Sequence, residues 1–186
     1  MNRKLHLIKI FFMLLVIATR AGESTPPPLP ATWDGVWRGD IEVLAGGATQ
    51  HRATMELRVQ PVAGSDAKTW TLTYSGQSPR KYEIRPTAAA GRFIMDEKNG
   101  VLIEEQLIGD TLHSAFQVGD VLLTSRFEKR GNELAVEITT FAVAEPSPKS
   151  SAKPLAVSLP FRSIQRGLLH QAAESLPPQS QDIGQK

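Results

Sequence analysis

The chain has 186 residues, a length suited to one domain of ordinary size. It contains no cysteine, which excludes disulfides, thiol catalysis, cysteine metal sites and the lipid-modified cysteine of bacterial lipoproteins. Its 21 Lys and Arg residues barely exceed its 19 Asp and Glu residues, so the overall charge argues for no strongly charged partner.

The N-terminus has the parts of a secretory signal. Met1-Asn2-Arg3-Lys4 is basic, and after Lys9 an unbroken apolar run extends from Ile10 to Ala18. Thr19-Arg20-Ala21 places small side chains where a signal peptidase reads them, which assigns residues 1–21 to a signal peptide cleaved after Ala21. The rival reading, an uncleaved anchor, needs roughly 20 apolar residues, far more than this run supplies. Cleavage would remove four of the 21 basic residues (Arg3, Lys4, Lys9 and Arg20) and none of the 19 acids, leaving 17 against 19, a net charge of −2. Nothing then argues for nucleic acid, and no later segment is long and apolar enough for membrane insertion. The expected product is soluble, in the periplasm or outside the cell.

Residues 22–32, with Ser24-Thr25-Pro26-Pro27-Pro28-Leu29-Pro30 at their centre, read as a stiff polyproline linker. From Trp33 to Arg166 apolar and polar residues alternate, the mark of strands with one buried face. Trp37, Gly39, Ile41 and Val43 share one side of the first strand, and Met55, Leu57 and Val59 one side of the next. Trp70, Leu72 and Tyr74, then Tyr82 and Ile84, then Phe93 and Met95, then Ile103 and Leu107 continue the pattern. It runs on through Leu112–Val118, Val121–Phe127, Leu134–Thr140 and Val157–Phe161. Tight-turn residues separate the runs, among them Gly46-Gly47, Asn99-Gly100, Gly109-Asp110, Gly119-Asp120 and Gly131-Asn132. Glu145 to Pro154 reads as one long loop before the last strand. Ile164 to Leu176 carries Leu168, Leu169, Ala172, Ala173 and Leu176 at helical spacing, which predicts a short C-terminal helix followed by a disordered tail, together residues 167–186.

The fold expected for residues 33–166 is all-β: an antiparallel up-and-down meander of about 8–10 strands closed into a barrel. Closure is the simplest way to remove exposed edges. A two-sheet sandwich is the alternative, but its crossovers need more long loops than this chain has. Charges on one strand face speak against a lipid-facing barrel.

Gly35-Val36-Trp37 at the start of the first strand resembles the signature of lipocalins and the wider calycin superfamily. The resemblance implies a tryptophan at the closed end of the barrel with a basic residue packed across its ring. By position Arg162 or Arg166 would take that part. On this reading Gly35, Trp37 and the arginine close the barrel and do not touch ligand.

The expected ligand-binding set is the inward face: Trp70, Leu72, Tyr74, Tyr82, Phe93, Glu105 and Phe116. Tyr74, Glu105, Ser114, Ser125 and Thr140 interrupt its apolar character. Glu105 is the most telling, because it shares a face with Ile103 and Leu107, and a buried, unpartnered carboxylate is costly. Either it orients a ligand, or a bulge exchanges it with Glu104, or it sits at a wet barrel mouth. His51 and His113 have no companion at metal-ligand spacing, so no metal or other cofactor is expected. His170 offers a weaker alternative, since nitrobindin-like barrels hold haem through a histidine near the C-terminus. No nucleophile elbow, phosphate loop or dinucleotide fingerprint is present, and Glu104 and Glu105 point to opposite faces, so no enzyme is expected. The function expected is an exported protein that binds a small apolar or amphipathic ligand. The alternative is a solid-cored barrel acting through its loops as an interaction or inhibitor protein.

Overall fold

The computed structural model describes residues 26–143 and 158–173. The signal sequence, the whole of the loop at Glu145–Pro154 and the C-terminal tail lie outside the described residues. After a single 3-10 turn at Ala31–Trp33 come ten strands: β1 (Gly35–Ala45), β2 (Ala48–Pro61), β3 (Lys68–Tyr74), β4 (Arg80–Pro86) and β5 (Arg92–Asp96), then β6 (Leu102–Ile108), β7 (Thr111–Val118), β8 (Val121–Arg130), β9 (Glu133–Ala142) and β10 (Phe161–Ala172). Each pairs antiparallel with its sequence neighbours, and β1 pairs with β10, so the sheet closes into a barrel. Closure leaves no unpaired edge strand, which a two-sheet sandwich would have retained.

The inward residues follow the expected phase. Trp37 and Ile41 of β1, Met55, Leu57 and Val59 of β2, and Trp70, Leu72 and Tyr74 of β3 are all buried. One short passage of β1 lacks side-chain bulk for a reason. A Cβ built on Gly39 would overlap the carbonyl oxygen of Leu168, and one on Gly167 would overlap that of Asp40. The two glycines let β1 and β10 approach closely where the barrel closes.

Two expectations are overturned at the ends of the chain. The helix expected over Ile164–Leu176 is instead β10 as far as Ala172, so the barrel extends six residues past Arg166. Helical spacing of Leu168, Leu169 and Ala172 loses to the demand of β1 and β9 for a shared partner, to which β10 is registered on both sides. Likewise, the Pro-rich segment is not all linker. Leu29 and Trp33 are buried against the barrel. The indole Nε1 of Trp37 donates to the Trp33 carbonyl at 3.0 Å. Lys68, buried on the inward face of β3, pairs with Asp34, and the Gln171 side-chain amide donates to the Asp34 carbonyl at 3.2 Å.

Candidate functional site

The two ends of the barrel differ. At the end bearing the N-terminal segment, Leu29, Trp33, Trp37, Leu57, Val59, Phe93, Leu112, Leu134 and Leu169 pack into a continuous core. Trp70 lies 6.2 Å from Trp33 and meets Phe127 edge-on at 5.3 Å, an arrangement favoured by the ring quadrupoles. This end is closed.

Toward the other end the lumen opens into a cavity of about 250 Å³. Its walls are Trp70, Leu72 and Tyr74 of β3, Arg80 and Tyr82 of β4, Met95 of β5 and Glu97 just beyond it, and Ile103 and Glu105 of β6. Ser114 and Phe116 of β7, Leu123, Ser125 and Phe127 of β8, Ile138 and Thr140 of β9, and Gln165 of β10 complete them. Six of the seven expected ligand-binding residues therefore meet around one space. Phe93 does not: it is buried in the packed core rather than at the cavity. It lies near the closed end of β5, where the inward face has nothing to line.

The polar groups of the cavity are mostly satisfied by one another. Ser114 and Ser125 lie directly across the β7–β8 ladder, and their hydroxyls are 2.7 Å apart. The Tyr74 hydroxyl donates to the Gln165 side-chain oxygen at 2.8 Å, and the Thr140 and Ser163 hydroxyls meet at 2.8 Å. The Arg80 guanidinium stands over the Tyr74 ring, 5.6 Å from its centroid. Burial raises the Tyr74 and Tyr82 phenols above their ordinary range.

Glu105 is the exception. It points inward in phase with Ile103, no bulge exchanges it with Glu104, and it is only 5 % exposed, so neither a swap nor a wet mouth accounts for it. Its Oε2 is buried without a hydrogen-bond partner. Loss of solvation pushes its pKa up to about 8, with the neighbouring Ser114 hydroxyl pulling weakly the other way. At neutral pH the acid is held mainly protonated.

The wall behind Glu105 is loosely joined. β6 and β7 are registered only at Gln106↔His113, Leu107↔Leu112 and Ile108↔Thr111. Beyond these pairs Glu105 and Ser114 border both the lumenal cavity and a concavity on the outer wall shared with Glu104, His113 and Ala115.

The residue stacked on Trp37 is neither arginine expected there. Lys129 Nζ lies 5.7 Å from the Trp37 ring centroid. Arg162 instead pairs with Asp120 at 2.6 Å, and Arg166 pairs with Glu42 at 2.9 Å. Lys129 follows Phe127 on the inward face of β8, opposite buried Leu134, at the closed end, whereas both arginines of β10 pair with Asp120 and Glu42. His170 is also misplaced for the haem reading. Its neighbour Leu169 points into the core, so His170 points out, 3.7 Å from Glu133. Among the described residues no cluster of three or more His, Asp or Glu side chains has metal-binding geometry.

Arg80, Glu97 and Gln165 line the cavity without having been expected there. Arg80 opens its strand and Glu97 follows one, where alternation gives no phase. Gln165 falls in the segment whose spacing imitates a helix.

No family model matches the chain, and no curated protein does. Among solved structures it is similar to a protein of unknown function from the DUF3598 family of Nostoc punctiforme, with a TM-score of 0.59. The likeness is one of fold. Identity is 9 %, over 83 % of this chain and 53 % of the other, so this chain spans about half the length of that neighbour. The closed antiparallel barrel is compatible with a calycin-like architecture.

Proposed function

We propose that this is an exported, non-catalytic binding protein that holds a small apolar or amphipathic molecule in the open half of its barrel. The observation that carries this reading is the cavity itself: aromatic and aliphatic walls around one buried carboxyl group whose Oε2 has no partner. Apolar walls favour burial of apolar ligand surface at roughly 25 cal/mol per Å², and a few fixed polar groups would set orientation. At about 250 Å³ the space falls below the roughly 300–1,000 Å³ of drug-sized pockets, which restricts the occupant to a small molecule. Export rests on the sequence at residues 1–21. Among the described residues no helix is long and apolar enough to cross a membrane.

The test is native mass spectrometry of the protein purified from the periplasm of an expressing cell, beside a denatured control. A discrete extra mass that disappears on denaturation is the expected result. A bare protein that stays bare after incubation with mixed small apolar and amphipathic compounds would refute it. N-terminal sequencing of the same material should begin at Gly22.

One observation favours a second reading, action through the loops of the open end. Leu102, Val118 and Phe161 are large, apolar and exposed, and all three stand at that rim, Phe161 edge-on to Phe141 at 6.0 Å. A partner protein docked on the rim would cover them.

A further inference from the structure

The aromatic rings of the lumen and the carboxyl group of Glu105, unpartnered at Oε2 among the described residues, specify a ligand more narrowly than apolar character does. We infer that the lumenal site takes a small organic amine, bound as its ammonium ion, with the Glu105 carboxylate as counter-ion and the surrounding rings as the rest of its cage. The inference rests on the lumenal-binding reading above and deepens it.

Glu105 Oε2 is buried, faces the cavity and has no hydrogen-bond partner among the described residues. Once ionised, a buried carboxylate oxygen left open in this way needs a donor, and a ligand ammonium offers up to three. Trp70, Tyr74, Tyr82, Phe116 and Phe127 line the same cavity. The faces of such rings attract a desolvated cation through their quadrupoles, whereas they offer nothing comparable to an anion. A carboxylate ligand would also face Glu105 directly, with like charge or at best a shared proton.

Arg92, His113 and Arg126 share the outer-wall concavity with Glu105, but Arg126 pairs with Glu128 and none of the three forms an ion pair with the Glu105 carboxyl group. On β5 its registered neighbour is Phe93, with Met95 beyond, and on β7 it faces Ser114. Ser125 of β8, Thr140 of β9, Gln165 of β10 and the phenols of Tyr74 and Tyr82 are the uncharged polar groups that line the cavity with them. Arg80, the cation among the lining residues, is engaged over the Tyr74 ring at the mouth, where Glu97 also lies. Binding balances as follows. The empty site holds Glu105 protonated, the ammonium enters with its charge, and the carboxyl proton leaves to solvent as the ion pair forms. No other bond is made or broken.

The experiment uses three probes of nearly equal shape, phenethylamine, 2-phenylethanol and phenylacetate. Each is titrated into the purified protein by calorimetry at pH 7 in two buffers of different ionisation enthalpy. The expected result is phenethylamine binding at least about tenfold tighter than 2-phenylethanol, with phenylacetate weakest. Amine binding should release about one proton per ligand, and alcohol binding none. Glu105→Gln should remove both the amine preference and the proton release while leaving alcohol binding in place, which shows that the variant lumen is still formed. Equal binding of amine and alcohol, or an amine preference that survives in Glu105→Gln, overturns the amine assignment alone. Failure of all three probes to bind overturns the lumenal-binding reading with it.

Discussion

Replacing Glu105 with Gln should stabilise the protein more as pH rises, and the size of the effect follows from the site. The carboxyl group titrates near 4.5 when solvated and at about 8 in the folded barrel. Between those values the unfolded chain gives up its proton while the folded chain keeps it, so the folded state binds more protons and stability falls with pH. The wild-type contribution is thus fully present below pH 4.5, declines as pH rises, and levels off above about pH 8. At 1.36 kcal/mol per pKa unit, the loss from pH 5 to pH 8 is roughly 3 kcal/mol. That is a large share of a typical stability of about 5–15 kcal/mol. Gln has nearly the same shape, keeps an acceptor and a donor for the Ser114 side, and does not titrate. Urea unfolding of both proteins at pH 5, 6, 7 and 8 measures the difference directly, and titrations common to both cancel in it. The gap between variant and wild type should open by roughly 3 kcal/mol in favour of Glu105→Gln across that range. Parallel pH profiles would refute the argument, because they would mean that Glu105 is solvated in the folded state.

Lys129→Ala should lower stability by about 0.5–1 kcal/mol and shift the tryptophan emission, through loss of the contact over Trp37. Arg162→Ala and Arg166→Ala, measured by the same fluorescence spectra, should leave that emission unchanged, since their partners are Asp120 and Glu42. Gly39→Ala should cost at least about 1–3 kcal/mol in urea unfolding, because the new Cβ meets the Leu168 backbone rather than a side chain that can turn aside. Hydrogen exchange monitored by NMR should find the amides of Glu104 and Ala115, which point into the unregistered stretch between β6 and β7, exchanging faster than those of Gln106 and His113, where that ladder is registered. Uniform protection along that hairpin would show the wall to be fully sealed.

Alternation alone placed most of the barrel. Where a strand buries one apolar face, as in Trp70-Thr71-Leu72-Thr73-Tyr74, period-two spacing marks both the strand and the inward side, and turn residues mark its ends. The same phase put Tyr74, Glu105, Ser114, Ser125 and Thr140 inside, and all five line the cavity. β10 escaped because its inward residues, Ser163, Gln165, Gly167, Leu169 and Gln171, are mostly polar or absent as side chains. They serve the lumen, the close approach to β1 and the N-terminal segment, so the strand shows no apolar stripe while its leucines imitate a helix. The cation on Trp37 is Lys129, in phase with inward Phe127 on β8, and alternation says that it faces inward but not which ring its side chain meets. Phe93 shows the same limit, since phase says that a side chain points inward but not which end of the lumen is packed and which is empty. That division was decided by Leu29 and Trp33 folding back against one end, with Asp34 paired to Lys68, contacts between segments some thirty residues apart. Burial of Glu105 was likewise decided in three dimensions, by the β5 and β7 neighbours that exclude water from a carboxyl group whose place on the inner face period-two spacing had already determined.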